Sequence, residues 1–176
     1  MERASAGHEI RFAGPGDAGV LSVLATQVWL DTYAVDGISP AFARHLLKEY
    51  STAAFRRMLE TEGTDILVCS SGAFVLGYAR VLTNPSLLDP AFGTAELATL
   101  YIQSCHKRRG IGGLLLRSAQ KLVSDAGHQK IYLTVHHANR SAISFYTAHR
   151  FRTIAHTTFH FEGVAAPNLV LEAATA

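Results

Sequence analysis

Glu96-Leu-Ala-Thr-Leu-Tyr-Ile-Gln-Ser-Cys-His-Lys-Arg-Arg-Gly-Ile-Gly-Gly-Leu-Leu-Leu116 decides how the rest of the chain is read. It begins as a strand, Glu96 to Gln103, passes a short basic turn, and ends on glycines that open an amphipathic helix. Three backbone properties meet at that junction. A helix start leaves N–H groups without partners, its dipole is positive there, and glycines let a ligand approach the main chain. Lys107, Arg108 and Arg109 add formal charge to the same turn. Such a cluster also occurs as a plain solvated turn, but its position against Gly110 and Gly112 favours an anion, and a diphosphate suits it.

Two nucleotide folds fail on context. A dinucleotide-binding fold wants Gly-x-Gly-x-x-Gly after its first strand and an acid about 20 residues on. Here Gly110-Ile111-Gly112-Gly113 follows a fourth strand, and Asp125 lies on the polar side of the helix. The Gly-Lys-Ser/Thr ending of a P-loop is missing.

Working outward, His8 to Ala13 is a first strand ended by Gly14-Pro15-Gly16. Asp17 is expected to cap a helix carrying Val20, Leu21, Leu24, Val28 and Trp29 on one stripe. Ser39-Pro40 opens a second helix with Phe42, Leu46 and Leu47 on one side. Ser51 or Thr52 starts a third, with Phe55 and Leu59 inward and Gly63 as its stop. Asp31 to Glu60 is thus a helical excursion that either covers a substrate site or caps a sheet edge. Asp65 to Ser70 and Ala73 to Val81 form a hairpin at Ser71-Gly72, followed by a loop from Asn84-Pro85 to Pro90. After the glycine turn, Ile111, Leu115, Ala119 and Leu122 line a helix ended by Gly127. Ile131 to Val135 is a central strand, Asn139 caps a helix bearing Ala142, Phe145, Tyr146 and His149, and strands Phe151 to Thr158 and Leu169 to Leu171 close the chain. The order makes one α+β domain, residues 1–176, with helices interspersed along a mixed sheet.

Composition narrows the function. The chain has 176 residues, 48% hydrophobic and 17% charged, enough for one well-buried core. Its net charge is +2, without the basic stripe or aromatic motif of a nucleic-acid binder. No segment approaches the ~20 apolar residues of a membrane span, and Met1 to Glu9 lacks the features of a secretory signal. Cys69 and Cys105 have no framework spacing and suit a reducing cytoplasm. Cys69 reads as packing, and Cys105 has no base and orienting group around it. His136-His137 is the close pair among nine histidines; as strand neighbours they should point to opposite faces, so no metal site is read.

Lys107-Arg108-Arg109-Gly110-Ile111-Gly112 resembles the Gln/Arg-x-x-Gly-x-Gly/Ala signature of the GCN5-related N-acetyltransferase (GNAT) superfamily. Leu133-Thr-Val-His-His-Ala-Asn139-Arg-Ser-Ala142-Ile-Ser-Phe145-Tyr146, followed by Phe151, resembles its second signature. Together they cover roughly residues 94–155, in the family's order and separation. The resemblance implies a mixed, mostly antiparallel sheet of about seven strands, flanked by helices and splayed between the fourth and fifth. It implies acetyl-coenzyme A as acyl donor, with no metal. Backbone groups from Lys107, Arg108, Arg109, Gly110, Gly112 and Gly113 would hold the diphosphate, and main-chain groups of Leu100 and Ile102 the pantetheine. Asn139 would contact the pantetheine or cap the next helix, and the two roles are compatible.

Tyr146 stands at the family's general-acid position, where a phenol offers a proton to a departing thiolate; Phe145-Tyr146 also reads as core. Glu96 lies where some relatives carry a general base, and desolvation beside Leu97 and Leu100 would raise its pKa toward that task. A strand-end carboxylate paired with a lysine is the other reading of Glu96. The chain departs from the pattern in three places. Lys107 lacks the guanidinium fork, Ser104 replaces a frequent proline and should only loosen the turn, and Arg150 replaces the glycine that ends the last helix. A left-handed conformation there costs a non-glycine residue roughly 1–2 kcal/mol, so His149-Arg150 is expected to end it differently.

The acceptor must be read from the first half and the tail. Val28 to Tyr33, Ser39-Pro40 and Phe151 to His160 look like the bacterial branch that includes polyamine N-acetyltransferases. A polycation needs acids, for which Asp31, Asp36 and Glu49 are candidates, while Asn168 falls where relatives often have aspartate. The expected partner is a small-molecule primary amine, polyamine included. Peptide or protein N-terminal acetylation and a non-catalytic acyl-CoA sensor are the alternatives. The resemblance also allows a homodimer, for which no apolar stripe in the sequence argues.

Overall fold

A computed structural model describes residues 7–161 and 164–175; the first six residues of the expected signal-free start lie outside them. The strands are β1 (Glu9–Phe12), β2 (Thr64–Ser71), β3 (Phe74–Leu82), β4 (Glu96–Ile102), β5 (Lys130–His136), β6 (Arg152–Phe161) and β7 (Val164–Ala174). The helices are α1 (Ala18–Tyr33), α2 (Pro40–Glu49), α3 (Thr52–Glu60), α4 (Ile111–Asp125) and α5 (Arg140–Ala148). The sheet runs in the order β1-β2-β3-β4-β5-β7-β6. β1 and β2, β5 and β7, and β6 and β7 pair antiparallel, while β4 and β5 run parallel through the single register pair Glu96↔Tyr132. The mixed, mostly antiparallel α+β sheet of seven strands is as read. The chain divides into two compact units, residues 1–80 with 99–119, and residues 81–98 with 120–176.

The first unit is built on α1. Leu21, Leu24, Ala25 and Val28 repeat at helical spacing and pack with Phe55 of α3, Ile66 and Val68 of β2, and Tyr78 of β3. Val20 lies one position off that stripe and is 47% exposed, and Leu47, beside buried Leu46, is 78% exposed. Both were expected inward; a residue one step round a helix turns ~100° away, and a narrow contact face buries one of two neighbours. Asp17 is the second correction. Its backbone is already helical, so its carboxylate caps nothing in α1. Instead it accepts from Gly14 N–H at 2.8 Å and from both terminal guanidinium nitrogens of Arg11 at 2.7 and 2.9 Å. Those hydrogen bonds hold the Asp17 carboxyl below its usual range. Ser39 and Ser51 do cap, accepting from Phe42 and Ala54 N–H at 3.1 Å each.

Aromatic rings carry this unit from helix to sheet: Tyr50 stacks on Phe55, Phe55 meets Tyr78 edge-on at 5.9 Å, and Tyr78 meets Tyr101 of β4 at 5.7 Å. Gly77 admits this approach. A Cβ there would stand 2.6 Å from Tyr101 O and 3.2 Å from Ile102 Cα. The end of β4 is thus set by the absence of a side chain on β3.

In the second unit β7 is the backbone. It pairs with β5 from Lys130↔Ala174 to His136↔Asn168, and with β6 from Arg152↔Glu172 to Phe161↔Val164. The strand is much longer than Leu169 to Leu171, because ladder partners on both sides override the weak strand propensity of Ala165, Ala166 and Pro167. Ile131, Leu133, Phe151, Val170 and Leu171 form its buried set. α4 buries Ile111, Leu115, Leu116, Ala119 and Val123; Leu122, expected on that stripe, is half-buried.

Candidate functional site

The turn before α4 has the geometry its sequence suggests. A short 3-10 turn, Ser104–His106, leads to Lys107, Arg108 and Arg109, all exposed. Arg108 (φ 59°) and Gly110 (φ 81°) are left-handed, and alternation of hands turns successive N–H groups toward one concavity. Leu114 N–H closes the first turn of α4 on Gly110 O at 3.0 Å, and among the described residues no backbone carbonyl accepts from the N–H groups of 108–113. These N–H groups, together with the dipole of a 15-residue helix, make a fitting cradle for an anion. The left-handed Arg108 went unread; a non-glycine residue there costs about 1–2 kcal/mol, and such strain gathers at binding turns.

The turn is tied to α1. Ser104 Oγ donates to Asp31 Oδ2 at 2.6 Å, and Gln103 Nε2 to Gln27 Oε1 at 3.2 Å. Ser104 therefore anchors the turn rather than loosening it. The bond also engages Asp31, one of the acids considered for a cationic acceptor; Glu49 pairs with Lys48 at 3.1 Å, and Asp36 is exposed. Gly77 presses β3 against the stretch of β4 that holds Leu100 and Ile102, both half-buried.

Glu96 stands in the second unit, on the wall of a cleft of about 250 Å³. Tyr132 shares that wall. Its hydroxyl donates to Glu96 Oε2 and accepts from Asp89 N–H, each at 3.3 Å, while its ring meets Phe92 edge-on at 5.9 Å. Burial first, then the charge of Glu96, push the Tyr132 phenol up to about 12, so it stays protonated at neutral pH. Asn168 faces the same cleft. Its Oδ1 and Arg80 Nε of the first unit are the buried side-chain polar atoms without a hydrogen-bond partner among the described residues. The sequence offered a hint of Tyr132, one of two hydroxyls with Thr134 in the mostly apolar run Ile131 to Val135, and nothing about Asp89.

Asn139, just before α5, and Tyr146, on it, belong to the same unit and do not line this cleft. Asn139 caps the helix as expected, accepting from Ala142 N–H at 3.1 Å. Tyr146 is 8% exposed, its ring 5.3 Å from Phe145 and 5.5 Å from Phe151. Arg150 is the correction here. It takes the left-handed conformation (φ 66°) that glycine would occupy, with its N–H on Thr147 O at 3.0 Å. Closure of the helix through Arg150 and Phe151 N–H outweighs the strain. His136 and His137 also differ from expectation. β5 ends between them, and their rings lie 4.8 Å apart rather than on opposite faces.

A family model described as the acetyltransferase (GNAT) family matches residues 29–151. Three solved structures share the fold over nearly the whole chain. The PaiA N-acetyltransferase of Thermoplasma acidophilum, in complex with coenzyme A, is 21% identical with a TM-score of 0.76, covering 94% of this chain and 98% of its own. YncA of Salmonella typhimurium, a putative acetyltransferase with its cofactor acetyl-CoA, is 18% identical with a TM-score of 0.67, covering 96% and 94%. The ribosomal-protein-S18-alanine N-acetyltransferase of Escherichia coli is 13% identical with a TM-score of 0.68, covering 97% and 95%. No curated protein sequence matches the chain.

Proposed function

The chain belongs to the acetyltransferase (GNAT) family and is an acyl-CoA-dependent N-acyltransferase, and on that premise we propose that it moves the acetyl group of acetyl-coenzyme A to a primary amine of a small molecule. The observation that carries the donor is the Lys107–Gly113 turn, where the N–H groups of 108–113, without a backbone partner among the described residues, meet two left-handed residues and a long helix dipole. In this reading Lys107, Arg108, Arg109, Gly110, Gly112 and Gly113 hold the diphosphate. Leu100 and Ile102 offer main-chain groups to the pantetheine, and Asn139 fixes the start of α5. Residues 1–176 act as one catalytic domain.

When bound, acetyl-CoA supplies an acyl thioester, at which the amine's C–N bond forms as the C–S bond breaks. The protein's part is to move two protons. Amines arrive mostly as ammonium, and Glu96 takes up the proton that must leave nitrogen before attack. Tyr146 gives a proton to the departing sulfur. The support for Glu96 is its place on a cleft wall beside Asp89 and Tyr132; that for Tyr146 is its motif position, with Phe145 and Phe151 fixing its ring.

Tyr146→Phe tests the assignment. Loss of a general acid lowers kcat by roughly 100-fold or more, while the dissociation constant for acetyl-CoA should stay within about twofold. Unchanged turnover in that variant removes Tyr146 from the chemistry.

A further inference from the structure

We propose that the cleft walled by Asp89, Glu96, Tyr132 and Asn168 receives the acceptor as an aliphatic ammonium free of carboxylates, and that Asn168 selects acceptors by taking one of their N–H groups on Oδ1. The inference rests on the acyltransfer reading above and adds the acceptor's chemistry to it.

Asn168 is the starting point. Buried polar atoms are nearly always paired, yet its Oδ1 has no partner among the described residues, and the side chain lines a cavity. Its backbone is held firmly: Asn168 sits opposite His136 of β5 and opposite Thr157 of β6. An orphan acceptor on a rigid strand, in a side chain that lines a cavity, needs only a turn of its amide to meet a donor that the occupant brings.

The rest of the lining sets the occupant's charge. Of its ten residues two are acidic, Asp89 and Glu96, and none is lysine, arginine or histidine. A cation gains from that field, while a carboxylate or phosphate is repelled. The cleft is therefore wrong for the phosphorylated donor and right for an amine. Tyr132 adds to the bias, because its hydroxyl already donates its hydrogen bond to Glu96 and has no second hydrogen for an anionic acceptor. Phe92 and Phe159 supply apolar wall for a short hydrocarbon stem. The cleft, about 250 Å³, has room for a small amine.

The test uses butylamine, 4-aminobutyrate and a short peptide with the wild-type protein and Asn168→Leu, a substitution of similar shape. In the wild type, butylamine should have a kcat/KM at least roughly tenfold above that of 4-aminobutyrate, because the carboxylate meets Asp89 and Glu96. Asn168→Leu should raise KM for butylamine about tenfold and leave KM for acetyl-CoA unchanged. Removing an orphan polar atom should not lower Tm, whereas a purely structural asparagine would lose Tm and spare the amine KM. An unchanged butylamine KM, an equal preference for 4-aminobutyrate, or a peptide that outperforms every free amine overturns the proposal. Failure of acetyl transfer to any amine would instead sink the acyltransfer reading. Binding then decides separately: butylammonium, and not butyrate, should shift the Asn168 side-chain amide resonance of the wild type. No shift, or equal shifts, would again overturn the inference.

Discussion

Arg150→Gly should make this protein more stable, although it deletes a charged side chain and adds nothing. Arg150 sits at φ 66° just past α5, where an L residue with a Cβ costs about 1–2 kcal/mol relative to a right-handed conformation. Glycine relieves that cost and surrenders roughly 0.5–1 kcal/mol of unfolded-chain entropy. The net gain is about 0.8 kcal/mol, the middle of a range of roughly 0–1.5, which for a chain of this size raises Tm by roughly 2–3 °C. The Arg150 side chain is exposed, and its recorded hydrogen bond to Thr147 O is made by the backbone N–H that glycine retains. Arg150→Ala is the control, because it keeps the Cβ and the strain and should change Tm by less than about 1 °C. Calorimetric melts of the three proteins measure it. A lower Tm for Arg150→Gly, or equal gains for glycine and alanine, would refute the backbone argument.

Gly77→Ala should act in the opposite direction. Its Cβ would lie 2.6 Å from Tyr101 O, forcing β4 away from β3, with a loss on the order of 2 kcal/mol in urea unfolding and a raised KM for acetyl-CoA if Leu100 and Ile102 line the pantetheine. Replacing Lys107, Arg108 and Arg109 together by alanine should weaken acetyl-CoA about tenfold at low salt, at roughly 0.5 kcal/mol per exposed charge. The difference should shrink at 0.5 M salt as the charges are screened. Asp17, with its carboxyl held down mainly by the Arg11 hydrogen bonds, contributes stability that is fully present above the ordinary aspartate pKa near 3.8. That contribution is lost as pH falls through the lower folded value. Asp17→Ala should therefore cost about 1 kcal/mol at pH 7 and progressively less in acid, which a pH series of melts will show.

What the sequence made legible was local or periodic. The Glu96–Leu116 stretch carried strand, turn and helix in one reading, because glycine at Gly110 and the basic run before it have few other uses. Asn139 was readable for the same reason, since asparagine ahead of an apolar helix has a strong capping preference. The misses share a different cause. Asp17 looked like a helix cap because Arg11 is six residues away and on another element; Leu47 looked like core because one short helix offers two adjacent leucines and the neighbours choose between them. β7 was read as Leu169 to Leu171 alone because propensity knows nothing of two ladder partners. Acids for a cationic acceptor were sought in Asp31, Asp36 and Glu49, and the partners of the first and last, Ser104 and Lys48, were invisible in sequence. That Asn168 Oδ1 has no partner among the described residues is a fact of three-dimensional packing alone.

Thiol release from acetyl-coenzyme A across a panel of primary amines, amino acids and short peptides, with mass analysis of the products, tests the central claim most directly. Release that depends on amine, matched one for one by an N-acetylated product and reduced in Tyr146→Phe, is the result expected of an acyl-CoA-dependent N-acetyltransferase that acts on small amines. Firm binding of acetyl-CoA with no thiol released by any acceptor would contradict it and leave a cofactor sensor in its place.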